Sequence, residues 1–431
     1  MKRSCLAILS LLVCCSCGDA EEASVEASAE PAEPAASSGP TEEPEPSDPE
    51  HPEPPVDEEA QPPASPTALP EGAPEAGCEL SEPVRIFGGD AWADIAATES
   101  GFIVAGVSRL GDGEHAFAVS IGADRAPRQI ARRALDDDAP AGHRRSAPVV
   151  AVAGERAAFA YVDGTRHLRV AFLDVAEAGT LRFMPAGEDA SLQFPPSMAW
   201  RDEQLLLAWT ELSTGHRRVL VSRIQRGRAG TPVDVTPASG GASAPAFVAG
   251  AAAPRLLFVD AREAISVVHR VDAAGEALGA VEVVRPISML TDPPAIAPVA
   301  LEGSDWVVYT GIGATATTAV GMLAAGGSMP PVTVVPGTGY GVLTIDVSPF
   351  GLGALIAAEA PTEAGPGSAE APREVHLRTT DASGQLGEPV IVRGPRGSAS
   401  RVRLAVRGGT VGLVFTDRDG AYAAMGRCAA P

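Results

Sequence analysis

The chain has 431 residues, 55 of them acidic against 33 basic, for a formal net charge of −22, with 45% hydrophobic and 4% aromatic side chains. This balance gives no support for nucleic-acid binding, which rests on basic surfaces facing phosphate. The 39 prolines, 46 glycines and six cysteines are spread unevenly along the chain.

Lys2 and Arg3 precede a short apolar run over residues 5–13, followed by the cysteine-rich stretch VCCSCGD. This is the pattern of an export signal. The run is too short for a spanning helix, which needs about 20 apolar residues. The stretch resembles a bacterial lipoprotein signal, in which a small residue precedes the cysteine that is acylated. Ser16 before Cys17 fits that pattern, although Cys14 stands where Leu is usual, and Cys15 is a second candidate. The resemblance implies a signal peptide over residues 1–16, lipidation at Cys17 and a membrane partner reached through the lipid. It also implies a cell-envelope location, at the outer membrane or cell surface where the source has an outer membrane. Simple secretion with cleavage nearby is the alternative.

Residues 17–77 read as a disordered acidic, Pro-rich tether. From residue 19 the segment holds 17 Asp and Glu, 14 Pro and no Lys or Arg. It has too little apolar surface to offset the entropy of folding. Like-charge repulsion and polyproline preference extend it, and a flexible coil of this length still averages roughly 45 Å end to end. Without the tether, residues 78–431 carry 38 acids against 31 Arg, so most of the negative charge belongs to the tether.

Residues 78–431 contain one apolar strand seven times: GFIVAGVS at 101, RAAFAYVD at 156, QLLLAWTE at 204, RLLFVDAR at 255, DWVVYTGI at 305, GALIAAEA at 353 and TVGLVFTD at 410. A short polar turn and a second alternating strand follow, as in HLRVAFLD, RRVLVSRI and REVHLRTT. A Gly-containing turn and a third strand come next, as in TDASGQLGEPVIV, and a further short strand such as SAPVVAVA or APAFVAG precedes each core. Runs of this length, separated by turn residues and without a 3.6-residue period, read as all-β. Four strands per unit of about 50 residues is the signature of a propeller blade. The expectation is a seven-bladed β-propeller, with six or eight blades if the weaker fifth and sixth copies are divided differently.

The ends test closure, because a propeller must not leave an exposed edge. The seventh copy stops at Cys428 after its third strand. At the other end CELSEPVRIF aligns with GQLGEPVIVR, placing Glu82, Pro83 and Val84 on Glu388, Pro389 and Val390. The N-terminal strand therefore completes the last blade. That arrangement brings Cys78 and Cys428 into disulfide range, and export permits the bond.

No nucleophile elbow, P-loop, H-E-x-x-H or C-x-x-C occurs in this block, so no catalytic, cofactor or metal residues are assigned. The sialidase turn pattern is absent too: TDRDGAY at 416 has the wrong spacing, and VRIFGG at 84 lacks the proline of an R-I-P motif. His115, His143, His167, His216, His269 and His376 fall singly, on separate blades. Trp92, Trp200, Trp209 and Trp306 are expected in the core. Asp136, Asp137 and Asp138 lack the alternating spacing of a calcium loop. Two arginine groups can meet an anionic glycan or headgroup, although charged hairpins are ordinary. One is Arg125, Arg128, Arg132, Arg133, Arg144 and Arg145; the other is Arg217, Arg218, Arg223, Arg226 and Arg228.

LLLAWTELSTGHRRVLVSRI and LLFVDAREAISVVHRVDAAGEALG resemble the degenerate repeats of bacterial lipid-anchored β-propeller proteins. The resemblance is one of fold, and propellers host unrelated functions. It implies a tethered, monomeric binding or interaction scaffold whose channel mouth or blade face holds an envelope protein or glycan. One alternative is a carbohydrate-active hydrolase or lyase using acids such as Glu211 and Asp260. Another is a structural envelope lipoprotein. An enzyme of the first kind needs two carboxylates within about 5–10 Å in one pocket; a scaffold has one scattered acid per blade.

Overall fold

The computed structural model describes residues 77–429 except 112, 123–125, 136–144, 178, 214, 239–240, 262–265, 288–289, 292–293, 313–317, 327–330, 340–343 and 363–371. The signal, Cys17 and almost all of the tether lie outside the described residues, as do Asp136, Asp137, Asp138, Arg125, Arg144 and His143.

The described residues form strands and no helix, arranged as seven antiparallel sheets. Each sheet is a blade, named here in chain order from its innermost strand. Blade 1 comprises Asp90–Ala97, Gly101–Leu110, Gly113–Gly122 and Pro127–Ala134. Blade 2 comprises Val149–Ala153, Arg156–Val162, Leu168–Asp174 and Phe183–Gly187. Blade 3 begins with Ser197–Arg201, Gln204–Ser213 and His216–Gln225, and its outer edge is split into Arg228–Ala229 and Val233–Asp234. Blade 4 comprises Ala242–Phe247, Arg255–Ala261, Ser266–Asp272 and Glu282–Ile287. Blade 5 comprises Ile296–Leu301, Ser304–Ile312, Thr318–Ala324 and Val332–Gly339. Blade 6 comprises Ile345–Phe350, Gly353–Pro361, Arg373–Thr380 and Val390–Val392. The fifth and sixth copies therefore divide as two blades, and the count is seven.

Blade 7 has Ser400–Arg407, Thr410–Asp417 and Gly420–Cys428 from the C-terminal end of the domain. Its outer edge comes from the other end: Cys78–Leu80 and Val84–Gly88 both pair antiparallel with Gly420–Cys428. Cys78 lies opposite Cys428 in that register, and a disulfide joins them across 4.0 Å between α-carbons. The N-terminal edge is two strands, interrupted around Pro83, which has no amide to give to the ladder.

The core is a ring of seven layers, each shared by two neighbouring blades. Blades 1 and 2 enclose Ile103, Phe159 and Tyr161; blades 2 and 3 enclose Val170, Leu207 and Trp209. The series continues through Phe258, Val307, Ile356 and Leu413. It closes where Ile95 and Phe102 of blade 1 pack on Val414 and Met425 of blade 7. Gly412 marks that closing layer, since a β-carbon there would lie 2.8 Å from Ile95 and 3.0 Å from Phe102. Trp209 is fully buried, in keeping with its expected role. Trp92 differs: it is half-buried and faces the channel mouth.

Candidate functional site

The inner strands line the channel, and their pairing to the second strands aligns them. Asp94, Val149, Ser197, Ala246, Ala297, Asp346 and Arg403 lie opposite Ala105, Ala160, Ala208, Leu257, Val308, Ala357 and Val414. They occupy one level of the ring, and its charged members fall on consecutive blades 6, 7 and 1. Arg403 stands between Asp346 and Asp94, with Nε 3.8 Å from Asp94 Oδ1. Each acid also ties its blade to the next. The Val150 amide donates to Asp94 Oδ2 at 2.7 Å, and the Leu404 amide to Asp346 Oδ2 at 2.8 Å.

Burial pushes the Asp94 carboxyl up from 3.8 to about 7; Arg403 opposes this, and the charge of Asp346 adds to it. Burial likewise raises Asp346, against Arg403 and the amides of Leu404 and Val347. From about pH 4 to pH 7 the unfolded chain has released the Asp94 proton while the folded chain keeps it. Stability therefore falls as pH rises through that window. Asp94→Asn keeps an oxygen for the Val150 amide and cannot ionise. Its expected advantage over the native chain in urea unfolding is present near pH 8 and vanishes near pH 4; an equal difference at both pH values would refute the assignment.

Above this level, where the inner strands begin, the channel opens into a cavity of about 530 Å³. Four arginines line it: Arg373 of blade 6 and Arg401, Arg403 and Arg418 at blade 7. Its only lining carboxylate among the described residues is Glu359, which is 2% exposed. Glu359 Oε1 is ion-paired with Arg373. Its Oε2 accepts from the Thr344 hydroxyl at 2.6 Å and from the amides of Thr344 and Arg401 at 3.3 and 3.1 Å. Thr344 passes the connection onward, its hydroxyl oxygen accepting from the Val402 amide at 2.9 Å.

Two inner strands carry a bulge at the mouth. Register shifts between Ser243 and Ala246 in blade 4, and between Ser400 and Arg403 in blade 7. Ala244 and Arg401 sit there at φ of 52° and 55°. The left-handed region costs a non-glycine residue about 1–2 kcal/mol, and such strain gathers where a side chain must be re-aimed. Both bulges are braced from the preceding blade at the same strand position. Thr210 Oγ1 accepts from the Ala244 amide at 3.2 Å, and Glu359 does this for Arg401. Arg401 then lies 4.8 Å over the Trp92 ring, with Nη1 2.7 Å from Asp90. The Arg418 side chain is exposed and has no ion pair among the described residues.

The acids expected for an enzyme do not meet here. Glu211 is paired with Arg218, and Asp260 is buried 3.6 Å from His269. Neither lines the cavity. Asp163, Glu211, Asp260 and Asp417 end aligned strands, one per blade, and Asp163 shows what that position does. Burial works to raise its pKa, but Thr165, Arg169 and the His167 amide bring it below the ordinary value by holding the carboxylate in a closed turn. Glu359 is one residue earlier in its strand and so points to the opposite face.

Both expected arginine groups are largely absorbed by the fold. Arg132 and Arg133 lie over Phe87 and Phe183, and Arg145 pairs with Glu114 beneath Tyr161. Arg217 covers Phe194, Arg218 is held between Glu211 and Asp234, and Arg223 donates to the carbonyls of Gly275 and Glu276. The described histidines stand on separate blades, and no group of three or more His, Cys, Asp or Glu among the described residues is placed to hold a metal ion. The mouth arginines were not singled out in the sequence. Their signal is the alternation Arg401, Arg403 on one strand, legible once the inner strands are aligned.

No protein-family model matches the chain, and no curated protein matches it. Among solved structures, it is similar to the polysaccharide lyase Uly1, with a TM-score of 0.51 and 11% identity over 79% of this chain and 90% of that one. A sialidase of Trypanosoma rangeli has a TM-score of 0.45 and 10% identity over 71% of this chain and 56% of its own. A prolyl endopeptidase has a TM-score of 0.40 and 15% identity over 78% and 47%. At these identities the likeness concerns the fold.

Proposed function

We propose that the propeller is a binding module whose ligand is an anion held at the channel mouth, carried on a tether that is lipid-anchored at Cys17 in an envelope membrane. The observation that carries the binding reading is the set of four arginines around one cavity whose lining, among the described residues, has a single and already engaged carboxylate. Guanidinium groups make the stronger, charge-assisted bonds to carboxylate, sulfate and phosphate. Mass spectrometry of the membrane-extracted protein tests the anchor: a diacylglyceryl mass on Cys17 supports it, and an unmodified mature N-terminus overturns it.

A second reading, an enzyme acting on an acidic polysaccharide, draws support from the likeness to the polysaccharide lyase Uly1. Arginines can neutralise a uronate there, but the described lining contains no His, Tyr or Lys to remove a proton. Calorimetric titration of the full-length protein with sulfate and with trigalacturonate separates the readings. Binding that weakens with salt, and weakens about 3- to 10-fold further in Arg418→Ala, supports the binding module. Binding unaffected by Arg418→Ala and Arg403→Gln overturns it. New reducing ends or the ultraviolet absorbance of an unsaturated uronate would establish the enzyme instead.

A further inference from the structure

The cavity has two unlike halves. Blades 6, 7 and 1 supply Thr344, Glu359, Ser400 and the four arginines, with Trp92 beneath Arg401, and Ile345 and Pro372 are the aliphatic residues on that side. The facing arc, from blades 2 to 5, includes Ala147, Phe194, Pro195, Pro245, Pro294 and Ile296, and among the described residues Gln193 is the one polar side chain lining it. Three of those six are prolines, which lack an amide N–H and present ring carbons. Phe194 is held in place by Arg217 stacked 5.3 Å above it. Hydroxyl groups placed against this arc would lose their hydrogen bonds to water with few donors to replace them, a penalty that an apolar group does not meet. A mostly apolar cavity of this volume with a few convergent polar groups is the ordinary form of a small-molecule site.

We infer that the channel mouth takes an amphipathic organic anion, with one acidic head on the arginine arc and an aliphatic or aromatic body against the proline arc. The inference rests on the anion-binding reading and narrows it from any anion to one with an apolar half. Charge fixes the orientation: the head lies toward Arg401, Arg403 and Arg418, and the body crosses the channel axis toward Pro245 and Ile296. An acidic sugar satisfies the first arc and leaves the second unused.

The test is fluorescence titration of the full-length protein with anilinonaphthalene sulfonate, followed by displacement with decanoate, 2-naphthoate, trigalacturonate and sulfate. The expected result is a single site from which decanoate or naphthoate displaces the dye at least about 10-fold more effectively than trigalacturonate or sulfate. The better of the two shows whether the body is aliphatic or aromatic. Ile296→Ser is expected to weaken the dye and the apolar acids about 5-fold while leaving sulfate unchanged, whereas Arg418→Ala weakens all of them. Equal competition by trigalacturonate and decanoate, with no effect of Ile296→Ser, overturns this inference and leaves the anion site standing. Dye binding indifferent to Arg418→Ala and to every competing anion overturns both.

Discussion

Glu359→Ala is expected to lower the unfolding free energy by about 3–5 kcal/mol, the range for removing one member of a buried ion pair. The carboxylate joins Arg373 to the Thr344 hydroxyl and to two backbone amides, one of which belongs to the left-handed Arg401. Alanine leaves those donors facing a space too confined for each to regain its full hydration. It also removes the brace of the blade 7 bulge, whose strain is then unsupported. Glu359→Gln retains one oxygen and the side-chain volume, so about half of the loss is expected. Urea unfolding followed by tryptophan fluorescence measures both variants. A second readout separates this role from packing alone: with its carboxylate gone, Arg373 adds to the positive field of the cavity, and sulfate affinity rises in Glu359→Ala as stability falls. A loss below about 1 kcal/mol, or unchanged sulfate affinity, would sink this account of Glu359.

The double substitution Cys78→Ala and Cys428→Ala is expected to remove about 2–4 kcal/mol of stability. In the chain-entropy picture, a link between residues 350 apart constrains the unfolded chain by about 6 kcal/mol, and measured values usually fall below that. The bond also has a local role. Cys78–Leu80 and Val84–Gly88 form the outer edge of blade 7, and the clasp holds the start of that edge against Gly420–Cys428. Without it the edge frays first, because its first segment is three residues long. Hydrogen exchange should therefore show loss of protection at Glu79 and Arg427, a directly opposed pair of that ladder, before any change at Leu207 or Trp209. Exchange that accelerates uniformly around the ring would mean that the clasp acts only through the unfolded state. An unchanged urea midpoint on reduction would mean that backbone pairing alone closes the propeller.

The strands were legible because their signals are local. QLLLAWTE and RRVLVSRI show the apolar pattern and the bounding turns within about ten residues each, and the structure pairs them as Gln204–Ser213 and His216–Gln225. Closure was legible for a different reason: a missing fourth strand at one end and a matching segment at the other leave a single way to satisfy the edge of blade 7. The cysteine pairing follows from the same register.

The mouth was not legible, since its parts are distant in sequence and unremarkable alone. Phe194, Pro245, Pro294, Arg373 and Arg401 meet because seven inner strands start around one axis. The blade 7 bulge, which no periodicity announces, then decides that Arg401 stacks on Trp92 at the mouth. The same holds for charge. Asp94 and Asp346 are ordinary acids in the sequence, 252 positions apart, and burial on either side of Arg403 raises both. Chain-local patterning and edge satisfaction determined blade content and ring closure from the sequence alone. Radial packing decided which side chains share the channel, how dry they are and which charges they feel, because those depend on distances that only the closed ring sets.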